Sequence, residues 1–167
     1  IGTRLCALWH SAGEPRFRAL CRSPKTAAIL RAAGYDAVSG DLLVPATIGP
    51  ALHGCAAIVH LAHGDDDASI TATNNLLAAA VHANIGRFIH ISSMSVHGPA
   101  PTEADTDEST ATIGHYGEPY SDSKAAQELA VQVAMKHGLR GLILRPTVVY
   151  GPGSPFVRQV VNDASLG

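Results

Sequence analysis

Long apolar runs are missing from this 167-residue chain. Its hydrophobic stretches fall well short of the ~20 residues a helix needs to cross a bilayer, which excludes a helical span as its organising feature. Charge is sparse, with 12 Lys and Arg against 14 Asp and Glu for a formal net charge of -2, and there is no basic run or basic patch interleaved with aromatics. Nucleic acid and an anionic membrane surface are therefore excluded as main partners. Cysteine is scarce: Cys6, Cys21 and Cys55 are widely spaced, each in an apolar setting. That pattern points to small buried thiols in a reducing, cytoplasmic setting and not to a disulfide framework. An initiator methionine and a charged-then-apolar leader are lacking too, so no targeting is read from this end. What is present is a composition 46% hydrophobic and 16% charged, that of one soluble globular domain with enough apolar surface to bury a core.

Strand-length and helix-length segments alternate along the chain. Apolar residues at Ile1, Leu5, Leu8 and Ala12, with Gly13 just beyond, predict an amphipathic helix closed by a glycine cap. Phe17 to Cys21 reads as a strand, and Lys25 to Ala33 as a helix capped by Ser23, with Pro24 in its first turn and Gly34 at its end. A strand over Asp36 to Leu42 runs into Gly40-Asp41-Leu42. Ala57 to Ala62 is a continuous apolar run, as expected for a sheet covered on both faces. A helix over Ile70 to Ala83 follows, and then a buried strand from Phe88 that ends in the hydroxyls Ser92, Ser93 and Ser95. The segment from Pro99 to Pro119, with Glu103, Asp105, Asp107 and Glu108, lacks periodicity; it is read as a substrate-facing lid or a solvated loop. A helix from Tyr120 to His137 with Gly138 as cap, a strand at Leu142 to Leu144 with its exit through Val149 to Gly153, and a short helix over Phe156 to Leu166 complete the chain. Such alternation predicts an α/β fold, a doubly wound parallel sheet of the Rossmann type. His60 and His63 with Asp65, Asp66 and Asp67 are read as structural and solvated, and no metal is expected.

Tyr120 and Lys124 stand four residues apart at a helix start, which puts a phenol and an ammonium on one face. A fixed positive charge favours the phenolate and draws a group of pKa near ~10 towards working range, so the pair suits proton transfer. It lies between two strand ends, one carrying Ser93 and the other Pro146 to Val149, and carboxyl ends of parallel strands are where open sheets bind ligands.

With these motifs in this order, nearly the whole chain resembles an extended short-chain dehydrogenase/reductase of the NAD(P)-dependent epimerase/dehydratase family. The resemblance implies Tyr120 as proton donor and acceptor, Lys124 as its partner and as the holder of the nicotinamide ribose, and Ser93 as the hydroxyl on the reacting oxygen. It places Gly2 at the end of a glycine-rich turn, Asp41 and Leu42 beside the adenine, Leu61 and Ala62 along the cofactor, and Pro146 to Val149 near the nicotinamide carboxamide. Asp41 reads equally well as a helix-capping acid in a loop. In this fold an acid on the adenosine ribose selects NAD and an arginine on the 2′-phosphate selects NADP; Arg22 stands there, so NADP is favoured.

The family's first strand and the first two glycines of its turn would precede Ile1, so the chain is expected to be a partial NAD(P)-binding domain, residues 1–167, without the family's substrate-binding region. The alternative is a complete small domain that begins with a helix. Ser69 replaces an asparagine and His97 a tyrosine of the family pattern. A small-molecule substrate and a homodimer through the helices holding Asn75 and Tyr120 are further implications. The competing readings are a non-catalytic dinucleotide-binding regulator and an inactive truncated fragment; Ser93, Tyr120 and Lys124 together weigh against the first, and the start at Ile1 favours the second.

Overall fold

Helix Gly2–Ser11 (α1) opens the computed structural model, which describes every residue except 14, 15, 65, 99–105, 111–114, 152, 153, 155, 156, 158–160, 163–167 and the side chain of residue 66. Gly13 takes a φ of +65° just past the helix, as the glycine cap requires. The apolar stripe of α1 is not buried as its periodicity predicts: no residue of α1 is buried, and Leu8 is 64% exposed. Period alone fixes a face; only a partner covers it.

Arg18–Cys21 (β1) and Asp36–Ser39 (β2) pair in parallel, Arg18 opposite Asp36 and Cys21 opposite Ser39. Parallel neighbours need a crossover, supplied by Pro24–Ala32 (α2), where Ser23 Oγ accepts from Thr26 N and Pro24 occupies the first turn. β2 stops at Ser39, short of the predicted Leu42, because the chain turns at Gly40. A Cβ there would lie 2.9 Å from Leu20 Cδ1 and 3.2 Å from Thr47 Oγ1, so a larger residue would have to push these side chains aside where the turn closes on β1.

A second parallel sheet is built from Ala57–His60 (β3), Arg87–Ile91 (β4) and Gly141–Leu144 (β5), with β4 central. Short helix Ile48–Leu52 (α3) precedes β3 and was not legible in the sequence; it inserts Ile48 and Leu52 into the core. Helix Asp66–His82 (α4) joins β3 to β4, starting four residues before the expected Ile70, and Pro119–Lys136 (α5) joins β4 to β5. Ile58, Leu76, Leu77, Ala80, Ile85, Phe88, Val131 and Leu139 fill the space between this sheet and the two helices. Across the helix pair, Thr73 Oγ1 donates to Gln127 Oε1 at 3.2 Å, both buried.

Among the described residues β1 and β3 share no ladder, so the two sheets are separate. They are tied at one end by Arg18, whose Nη1 donates to the carbonyls of Ala51 and His53 at 3.2 and 2.9 Å. The three cysteines are free, and partly buried instead of buried. Among the described residues no helix is long and apolar enough to cross a membrane, and no group of three or more metal-ligating side chains forms. The expected helix over 156–166 and the acids Glu103 and Asp105 lie largely or wholly outside the described residues.

Candidate active site

Glu118-Pro119 starts α5 where the chemistry is predicted. The Glu118 carboxylate accepts from the backbone N–H groups of Tyr120 and Ser121 at 3.3 and 2.7 Å, and Pro119 fills the first turn, where no N–H is needed. Those hydrogen bonds hold the Glu118 pKa below the usual carboxylate range. Asp122 braces the approach by accepting from Tyr116 N at 2.6 Å and Gly117 N at 3.1 Å. Tyr120 therefore leaves a fixed helix start, half in solvent, with its ring edge-on to His63 at 5.2 Å between centroids.

Lys124, one turn on, is 6% exposed and donates from Nζ to Ile91 O at 3.1 Å. Burial lowers its pKa. The bond pins α5 to the end of β4, two residues before Ser93. Ser93 caps the 3-10 turn Met94–His97, its Oγ accepting from Ser95 N at 3.2 Å. That turn ends at Gly98, φ +87°, where a Cβ would lie 2.9 Å from the Tyr116 ring. The His97 substitution leaves the turn intact.

Beyond the strands, pairing continues: Ser92 N donates to Leu144 O at 2.8 Å and Met94 N to Pro146 O at 3.0 Å. Ser93 and Pro146 are thereby brought side by side. The His63 ring ties Tyr120 to the exit of β3, where Leu61 and Ala62 lie, and a Cβ on Gly2 would stand 3.9 Å from Leu61 Cδ1. Arg22, exposed at the end of β1, approaches the same exit, its Nη1 3.9 Å from a Cβ placed on Gly64. Leu42 is held by Asn75 Nδ2, which donates to its carbonyl at 2.8 Å.

Two other predicted residues make local contacts within their own loops. Asp41 turns its carboxylate back on its own loop, accepting from Leu43 N at 2.9 Å; this is a turn contact and not a helix cap, since the next helical turn begins at Pro45 with Val44 as its N-cap. Val149 is 49% exposed, and its carbonyl accepts from Ser154 Oγ at 3.1 Å.

Sequence reasoning missed a buried polar column beneath α5. Glu128 is fully buried and accepts from Ser92 Oγ at 2.8 Å and from Arg145 Nε at 3.1 Å. This pairing raises the Arg145 pKa. One signal was available: Glu128 follows Lys124 by four residues, on the helix face that carries the chemistry. Below it, His60 and His90 occupy paired positions of β3 and β4 with their Nδ1 atoms 3.1 Å apart. Burial pushes their pKa values down to about 3 and about 4, the neighbouring Lys124 adding to both and His90 to that of His60.

A cofactor with a pyrophosphate fits these residues. The first turn of α1 holds no acidic side chain, and Gly2 lies beside Leu61, so an anion meets no like charge at this helix start.

Comparison with known proteins places these features in a family setting. The model of the NAD dependent epimerase/dehydratase family matches residues 1–165. A 2-alkyl-3-oxoalkanoate reductase of Shewanella oneidensis is 28% identical over 155 residues, 83% of this chain and 40% of that protein. A dTDP-glucose 4,6-dehydratase of Streptomyces niveus is 36% identical over 131 residues, 71% of this chain and 38% of that protein. The solved structure of a UDP-glucuronic acid 4-epimerase from Bacillus cereus in complex with NAD superposes with a TM-score of 0.76 at 24% identity, covering 98% of this chain and 60% of that one. The chain thus spans about two fifths of the length of these curated relatives.

Proposed function

Because this chain belongs to the NAD dependent epimerase/dehydratase family, we propose that it is the NAD(P)-binding part of an oxidoreductase or epimerase that works at a hydroxyl- or carbonyl-bearing carbon through Ser93, Tyr120 and Lys124. The observation that carries the reading is convergence. Lys124 is bonded to the end of β4, Tyr120 touches the exit of β3 through His63, and the turn capped by Ser93 is bonded to Pro146 beyond β5.

When bound, the nicotinamide cofactor supplies hydride exchange. Tyr120 gives a proton to the substrate oxygen, or takes one from it. Ser93 Oγ donates a hydrogen bond to that oxygen and helps polarise its carbon. Lys124 sets a positive charge on the Tyr120 face of α5, favouring the phenolate when the proton leaves. Gly2, Leu61, Ala62 and Leu42 line the cofactor, with Asp41 near the adenine and Pro146 to Val149 at the carboxamide. Arg22 supports NADP over NAD, since a guanidinium matches a phosphate.

The substrate is a small molecule, the setting cytoplasmic, and the assembly a homodimer through α4 and α5. The last point is supported by the apolar stripe those helices leave outside, with Val81 61%, Leu129 42% and Val133 46% exposed. In the full-length protein, Tyr120→Phe is expected to cut NAD(P)H-dependent turnover of a carbonyl panel by about 10²-fold or more while cofactor fluorescence titrations stay unchanged. Unchanged turnover would remove Tyr120 from the mechanism.

A further inference from the structure

We infer that Glu128 and Arg145 are positioning residues for the Ser93, Tyr120 and Lys124 site, a buried clamp that holds the ends of β4 and β5 in register with α5; this rests on the reading just given. Glu128 is 0% exposed and one helical turn beyond Lys124. Its two oxygens collect partners from other segments: Ser92 Oγ at 2.8 Å from the end of β4, Arg145 Nε at 3.1 and 3.2 Å from the end of β5, and Gln132 Nε2 at 3.0 Å from α5 itself. Arg145 Nη2 closes the fork on Oε1. Each outside partner immediately precedes a residue assigned to the site, Ser92 before Ser93 and Arg145 before Pro146.

Arg145 also reaches forward. Its Nη1 donates to Glu108 O at 3.4 Å and lies 3.5 Å from His97 Nε2, so the guanidinium touches the segment ahead of α5 and the turn that Ser93 caps. Stability alone does not account for such a pair, since apolar replacements of a buried ion pair are often neutral or stabilising. Fixed geometry does account for it. A planar fork on a carboxylate sets two parallel bonds and one orientation, which a methyl-lined contact would leave free. Its place at the carboxyl ends of the strands, away from the apolar centre around Phe88, is where such orientation reaches a ligand.

The test compares two ligands on the full-length protein, NADPH (with NADH in parallel) and ADP-ribose, which lacks the nicotinamide. Glu128→Gln keeps the shape and removes the charge. It is expected to weaken the dinucleotides about tenfold while ADP-ribose stays within about twofold, because the clamp holds the strand ends near the nicotinamide and not the adenine side. Arg145→Lys, which keeps the charge but loses the fork, is expected to behave like Glu128→Gln. Ser92→Ala removes one hydrogen bond and leaves the ion pair in place, so it decides the matter if Glu128→Gln does not fold; a change of about threefold in the same sense is expected. Equal weakening of all ligands, or no change in any, would overturn the clamp and leave the functional reading standing. Failure of the unsubstituted protein to bind NADPH, NADH or ADP-ribose would overturn that reading, and the clamp with it.

Discussion

The two sheets are built to different standards. Through residue 40, the β1–β2 unit with α1 and α2 fully buries only two apolar side chains among the described residues, Ala27 and Ala37, and leaves Ile1, Leu8 and Ile29 outside. The β3–β5 unit with α4 and α5 buries Phe88, Ile48, Val96 and Val131 completely and still accommodates His90, Gln127, Glu128 and Thr73 at under 2% exposure. Buried polar groups cost free energy unless paired, and most of these are paired across elements. The lesson is that the proposed proton chemistry stands on the unit rigid enough to hold it, while the proposed 2′-phosphate contact, Arg22, is an exposed side chain at the end of the thinner one.

The largest test of that contrast is Phe88→Ala. A fully buried ring at the centre of β4 is expected to cost about 3–5 kcal/mol on removal, against under about 2 kcal/mol for Leu20→Ala in half-buried β1. Urea unfolding of both variants measures the difference, and equal losses would break the comparison.

Next comes pH. Burial holds both folded imidazoles, His60 and His90, well below unfolded histidine, which titrates near ~6.5. Below ~6.5 the unfolded chain binds protons that the folded one refuses, so stability is full above that value and falls as pH drops towards 4. A single proton lies between the two Nδ1 atoms when both rings are neutral, and a second would set two donors against each other. The urea midpoint is expected to drop from pH 7 to pH 4, and a His60→Gln, His90→Gln double variant to flatten that slope; an unchanged slope would place the acid sensitivity elsewhere.

The smallest expected effect belongs to the thinner unit. Arg22→Asp should move the NADPH to NADH affinity ratio towards NADH by about tenfold, worth about 1.4 kcal/mol, with no change in unfolding midpoint. Equal ratios before and after would exclude the 2′-phosphate role.

Most of the element order was legible because hydrophobic period, caps and glycine stops are local. Ser23-Pro24 and Gly34 mark α2, and Gly138 marks the end of α5 with φ +103°. Ends were less legible: β3 closes at His60 although the apolar run continues to Ala62, since a ladder partner and not hydrophobicity decides where a strand stops. Helix α3 escaped notice because five residues hold too little period to register. Glu128 and Arg145 escaped because a charge in an apolar stretch gives no sign of its partner, here 17 residues away.

By itself the sequence determined the α/β alternation, the Tyr120 to Lys124 spacing and the hydroxyl cluster at the end of β4, all set by neighbours within a few residues along the chain. Tertiary structure alone decided that His60 meets His90 across 30 positions, that Ser92 meets Glu128 across 36, and that the apolar stripe of α1 stays uncovered. The physical reason is the range of the forces involved. Backbone propensity and capping act within a turn or two, whereas burial and buried hydrogen bonding depend on which surfaces the completed fold brings together.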